Sequence, residues 1–207
     1  MSDPLSLLPY SLAAGGGTID GIEVQQLVAA GFTLLQRSAP LVRALARHRS
    51  AMLLEGGAAY ITALAASDGR AALLLDPHAS PDTIERQLHR ANASVVFTLS
   101  AHAARLPAST ARVLLDDAPR SARVIIGDHT SDVDLGSHFG LTVEGDPGVE
   151  GSSEECVTVT DGDELETLTH RDVLSAARDA HVPREQEPWW TRSGFIAAMA
   201  PLVSRST

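Results

Sequence analysis

The chain of 207 residues predicts an α/β fold: a three-layer α/β/α sandwich around a mostly parallel sheet. Two observations carry this. Short, continuous apolar runs recur as AMLL (51–54), AALLL (71–75), SVVFT (94–98) and VLL (113–115), and helical patterns separate them. Strands buried on both faces read as unbroken apolar runs, and a parallel pair needs a crossover that is usually a helix. Such crossovers are right-handed almost without exception, which places helices on both faces of the sheet.

Each element has a local reason. After AMLL, the pattern AAYITALAA reads as a helix closed by a turn at Asp68-Gly69. After AALLL comes Asp76-Pro77, then Ser80 as an N-cap with Pro81 at the first helical position. The Ser hydroxyl can satisfy a free N–H there, and Pro has none to leave unpaired. Ile84, Leu88 and Ala91 give this helix one apolar stripe, and Asn92 ends it. AHAARL reads as a further short helix before VLL, and VII (124–126) follows too soon for a crossover, so it turns back or forms a sheet edge.

Upstream, residues 1–18 read as a flexible leader that includes Gly15-Gly16-Gly17, and an α/β domain spans 19–126. Its opening, 19–47, reads as a lead-in strand and one long helix with Leu27, Gly31, Leu34, Leu35 and Leu41 inward. Residues 127–155, acidic and rich in Gly and Ser, read as a surface connection. Within it, Asp128, His129, Asp132, Asp134 and His138 are the densest group of potential metal ligands, but their spacing fails the EF-hand pattern, so no metal site is assigned. Residues 156–207 read as a strand-turn-helix segment followed by an apolar C-terminal helix.

The formal charge of −10 opposes a nucleic-acid partner, because a phosphate backbone is gripped by clustered cations. All sixteen basic residues are arginine, so no mechanism needing an ε-amino group can come from this chain. The single cysteine, Cys156, builds no intrachain disulfide and fits a reducing cytoplasm. Its acidic neighbours Glu154 and Glu155 make it a poor nucleophile. No apolar run reaches the roughly 18 residues of a membrane span.

Three stretches resemble a known family. AMLLEGGAAYITALAASDGRAALLLDPHASPDTIERQLHRANASVVFT (51–98) is similar to the N-terminal part of the adenylate-forming superfamily, the acyl-CoA synthetases and their relatives. LTHRDVLSAA (168–177) resembles the Leu-Thr-His-Arg-Asn helix start that follows the family's phosphate loop, and GFIAAMAPLVSRST (194–207) resembles the next segment. The resemblance implies ancestry among enzymes that activate a carboxylic acid with ATP and pass it to a thiol. It also implies that this chain is incomplete relative to the full family fold, since it ends before the adenine and ribose contacts, the later metal-binding Glu and the lid with its lysine.

The family's loop has the form Thr-Ser-Gly-Thr-Thr-Gly-x-Pro-Lys-Gly, whose N–H groups, hydroxyls and lysine hold ATP phosphates. Here the region reads Thr160-Asp161-Gly162-Asp163-Glu164-Leu165-Glu166-Thr167. Thr160, Asp161 and Gly162, with Thr169, His170 and Arg171 beyond them, are the vestige of a phosphate site. Four carboxylates facing a polyphosphate would repel it. DGDELE therefore reads as an acidic hairpin turn, and Thr169 to Asp172 as a capping box that needs no chemistry.

The resulting expectation is a non-catalytic synthetase-like chain with no catalytic residue and no cofactor of its own. ATP and magnesium enter only if a partner chain completes a split ligase, and a decayed remnant is the remaining alternative. A protein partner or a second copy would dock on an exposed apolar face of Trp189, Trp190, Phe195 and Met199.

Overall fold

The computed structural model describes residues 7–67, 72–136, 155–161, 164–180 and 187–203. Asp68-Gly69, His138 and Gly162 lie outside them. Helix α1 (Leu8–Gly15) comes first, followed by a small hairpin of β1 (Thr18–Ile19) and β2 (Ile22–Glu23). Asp20 and Gly21 form its turn, both at positive φ. The first eighteen residues are therefore not simply a leader: Leu8 and Leu12 are fully buried in the main core. Leu8, Leu12 and Tyr10 hold the helix down, an apolar spacing easily missed beside three glycines.

Helices α2 (Val24–Arg37) and α3 (Ala39–Leu45) replace the single long helix expected over 19–47. The break falls at Ser38, two residues before Pro40. Proline has no N–H with which to continue α2, whereas in the first turn of a new helix none is needed. Ser38 restarts the helix by accepting the Leu41 N–H.

The main body continues as β3 (Arg49–Leu53), α4 (Gly57–Ala66), β4 (Ala72–Leu74), α5 (Pro81–Arg90), β5 (Ala93–Leu99), a 3-10 turn over Ser100–Arg105, and β6 (Ala111–Leu115). The Ser80 cap forms as expected, accepting the Thr83 N–H at 3.2 Å. AHAARL is the 3-10 turn rather than an α-helix. Then follow β7 (Ser121–Ile126), β8 (His129–Asp134), β9 (Glu155–Asp161), β10 (Glu164–Thr169), α6 (His170–Asp179) and α7 (Arg192–Met199).

Eight strands form one sheet in the order β10-β9-β4-β3-β5-β6-β7-β8. The five central strands, β9 to β6 in that order, run parallel, and an antiparallel hairpin finishes each edge. β8 corrects the expected surface connection: the first part of 127–155 is an edge strand. Its sequence HTSDVD buries only Val133, so little apolar signal marks it. The acidic residues there are engaged locally. Asp132 accepts from Arg123 Nε at 2.7 Å, and the Asp134 carboxylate accepts the Gly136 N–H at 2.9 Å. The Arg123 bond holds the Asp132 carboxyl below its ordinary range.

Helices cover both faces. Met52, Leu74, Val95 and Phe97 pack toward α1, α2, α4, α6 and α7, whereas Ala51, Leu53, Leu73, Leu75 and Val96 pack toward α5 through Ile84 and Leu88. Neighbouring residues of one strand thus enter opposite cores, which is why these strands show no polar alternation. The first layer depends on close contact between α2 and α4. A Cβ on Gly31 would stand 2.5 Å from the Thr62 carbonyl oxygen and 2.6 Å from Ala65 Cβ. Gly31→Ala should therefore destabilise the chain by about 1–3 kcal/mol, the usual cost of overpacking. Denaturant unfolding measures it, and an unchanged midpoint would mean the helices can move apart.

Candidate functional site

In an open α/β sheet, ligands bind outside the carboxyl ends of adjacent strands whose connections leave to opposite faces. In the order β4-β3-β5-β6 that point is at β3 and β5, and the loop after β3 borders it; β3 leads into α4 on one face and β4 into α5 on the other, so their loops part beside it. The crevice lies between Glu55-Gly56-Gly57 and Asp76-Pro77-His78.

Two groups brace its walls. Asp20, in the β1–β2 turn, accepts the Ala58 N–H at 2.9 Å and so occupies the start of α4. Arg105 donates to the carbonyls of Pro77 and Ala79, fixing the loop after β4.

The chain itself fills the mouth. Trp189 lies against Gly56, where a Cβ would meet its indole ring at 3.1 Å. Tyr60 donates its hydroxyl to the Trp189 carbonyl at 3.1 Å and meets the Trp189 ring edge-on at 5.1 Å. Trp190 sets its edge against His78 with ring centroids 5.7 Å apart, and His78 Nε2 stands 3.7 Å from Glu55 Oε1. The Glu55–His78 pair is exposed, and among the described residues no hydroxyl or thiol bonds to its imidazole. It forms no nucleophile–base pair. Neither residue stood out in the sequence, although a Glu-Gly-Gly triplet directly between an apolar strand and a helix was a legible signal.

Phe195 and Met199 correct the expected docking face. Both are fully buried in the main core, Phe195 with its ring 6.3 Å from Tyr60. The tryptophans are half-buried, so Trp190 is the part of that cluster most able to meet another molecule.

The phosphate-loop vestige does not come together either. β9 and β10 pair from Thr169 opposite Glu155 out to Glu164 opposite Asp161. Thr160 and Asp161 stand at the carboxyl end of the sheet. Thr169, His170 and Arg171 stand at the other end, roughly 17 Å away at the rise of a strand. A strand, not a loop, separates them.

His170 has a structural task instead: its Nδ1 accepts the Leu8 N–H at 3.1 Å, tying α1 to the start of α6. Arg171 is exposed. Thr169 and Asp172 exchange the bonds of a capping box, at 3.1 Å from each backbone N–H, as the sequence suggested. Those bonds from Thr169, and then Arg192 and Arg171, hold the Asp172 carboxyl below its ordinary range.

Beneath the crevice, burial pushes the Cys156 thiol far above its ordinary range, and burial followed by the nearby Cys156 does the same to the Tyr60 phenol. Cys156 is a core residue, not a nucleophile.

No protein-family model matches the chain, and no curated protein matches it. Solved structures do. A fatty acyl CoA synthetase from Mycobacterium tuberculosis superposes with a TM-score of 0.63 at 13% identity, over 96% of this chain and 43% of that one. A nonribosomal peptide synthetase in its α-methyl-L-serine-AMP-bound form gives 0.61 at 17% identity, over 97% of this chain and 23% of that one. Apo MatB from Rhodopseudomonas palustris gives 0.58 at 16% identity, over 95% and 43%.

Two measurements check the site. Trp189→Ala should cost at least about 2 kcal/mol, since it empties the mouth of the crevice, while Trp190→Ala should cost under about 1 kcal/mol. Equal effects would contradict the division of roles. Both Cys156 and Tyr60 are held neutral when folded, so their contribution is complete below about pH 9 and falls as pH rises, because only the unfolded chain then releases their protons. Unfolding midpoints from pH 7 to 11 should show this decline, less steep in Cys156→Ala. An identical slope would remove Cys156 from the account.

Nearly the whole chain thus adopts the fold of a part of the acyl-CoA synthetases and nonribosomal peptide synthetases, spanning less than half the length of those solved structures.

Proposed function

We propose that this chain is a non-catalytic, adenylate-forming-like protein that acts through protein contacts. One observation carries the reading: strands β9 and β10 pair all the way to Asp161 opposite Glu164, leaving only positions 162 and 163 between them. A loop that wraps a triphosphate needs several free N–H groups and cations aimed at one point. This hairpin instead exposes Glu164 and Glu166. The start of α6 is no substitute, since Thr169 and Asp172 already satisfy it at the far end of β10.

The partner in this reading is another protein or a second copy. Among the described residues β10 is an edge strand with no neighbour on its outer side, and Leu165 on it is an exposed apolar side chain. Such an edge is a template for an added strand. A cytoplasmic setting fits the single buried thiol. Among the described residues no helix is long and apolar enough to cross a membrane.

The test is carboxylate-dependent exchange of pyrophosphate into ATP. The purified chain should show none above background with aliphatic, aromatic and amino acids. Exchange by the chain alone would overturn the proposal. Exchange that appears only on adding a second protein would replace it with the split-ligase alternative, in which that protein brings the ATP and magnesium site.

A further inference from the structure

A cleft of about 660 Å³ opens at the amino ends of the strands, the edge opposite the tryptophan-filled crevice. It lies within the ~300–1,000 Å³ range of small-molecule sites. Its floor is apolar, made by Ala111 at the start of β6 and Ile126 at the end of β7, with the buried Val95 of β5 beneath them. One wall is the last turn of α3 and the residues after it, which bring Arg43, Arg47 and His48 to the rim, and His129 faces them from the start of β8. Ser94 and Ser109 add hydroxyls, and among the described residues no carboxylate lines the cleft.

This composition is at odds with the rest of the chain. A protein with 26 acidic residues against 16 arginines has gathered two guanidiniums and two imidazoles around one concavity without a counter-charge in its lining. Arg43 lies in the last turn of α3, and Arg47 follows in the turn whose N–H bonds back to the Ala44 carbonyl; both line the cleft. Two guanidinium forks on one rim suit a phosphate or carboxylate.

We propose that this cleft is a binding site for a small organic anion, whose phosphate or carboxylate head meets Arg43 and Arg47 and whose apolar body lies on Ala111 and Ile126. It is independent of the phosphate-loop region and of any adenylation chemistry. The hydroxyls of Ser94 and Ser109 supply further donors to the head, and the histidines add charge when protonated.

The experiment is a titration of the ¹⁵N-labelled chain with four probes: phenyl phosphate, benzoate, inorganic phosphate and phenol. Phenyl phosphate or benzoate should produce saturable shifts at Val95, Ala111, Gly127 and His129, and the stronger of the two identifies the head group. Inorganic phosphate and phenol, each with half of the ligand, should bind at least about tenfold more weakly. R43Q and R47Q should each weaken the organic anion by about tenfold, the scale of one charge-assisted bond, while R86Q on α5 changes nothing. The proposal is overturned if neither organic anion saturates, if either half-probe binds as well as the whole, or if R43Q and R47Q leave affinity unchanged.

Discussion

Burial of β3, β4 and β5 on both faces is the constraint from which the rest of this structure follows. None of these strands can present a polar side to water, so a layer must form above and below the sheet at once. The lower layer is thin. One helix, α5, covers that face of the central strands through Ile84 and Leu88, with Leu106 beside them. The upper layer is thick and draws on distant parts of the chain, from Leu8 in α1 to Met199 in α7. An error in either layer exposes the same strands. The sheet therefore couples residues that are far apart in sequence.

Tyr60 joins this packing to the candidate site. It projects from α4, fully buried, and reaches Trp189 through its hydroxyl and Phe195 through its ring. The carboxyl end of β3, which borders the switch point of the sheet, is the natural place for a ligand. Here it is occupied by the chain's own indole, seated on a glycine. At the opposite edge the basic cleft combines cationic rim residues with an apolar floor.

Much of the fold was legible in the sequence because its strongest signals are local. Continuous apolar runs gave the central strands, and Ser80-Pro81 and Thr169 to Asp172 gave helix starts that formed as read. What escaped was set by contacts between distant residues. Helix α1 is held by burial of Leu8 and Leu12 and by His170, none of which a window of local sequence reveals. β8 is nearly all polar because it sits at an edge. Phe195 and Met199 suggested an exposed face until α7 was seen to pack on Tyr60. The phosphate-loop vestige was found by resemblance, and resemblance could not say that a full strand separates its two halves. The crevice and the basic cleft were invisible for the same reason: each gathers residues from four or more elements.

The central claim is that the β9–β10 hairpin does not hold nucleotide phosphates. Its most direct test is titration of the ¹⁵N-labelled chain with ATP and magnesium, following the amides of Thr160, Glu164 and Leu165. These resonances should not move beyond the effect of ionic strength. Saturable shifts at the hairpin tip, abolished by neutralising neither Arg43 nor Arg47, would contradict the account and restore a phosphate site to the place where the resemblance first put it.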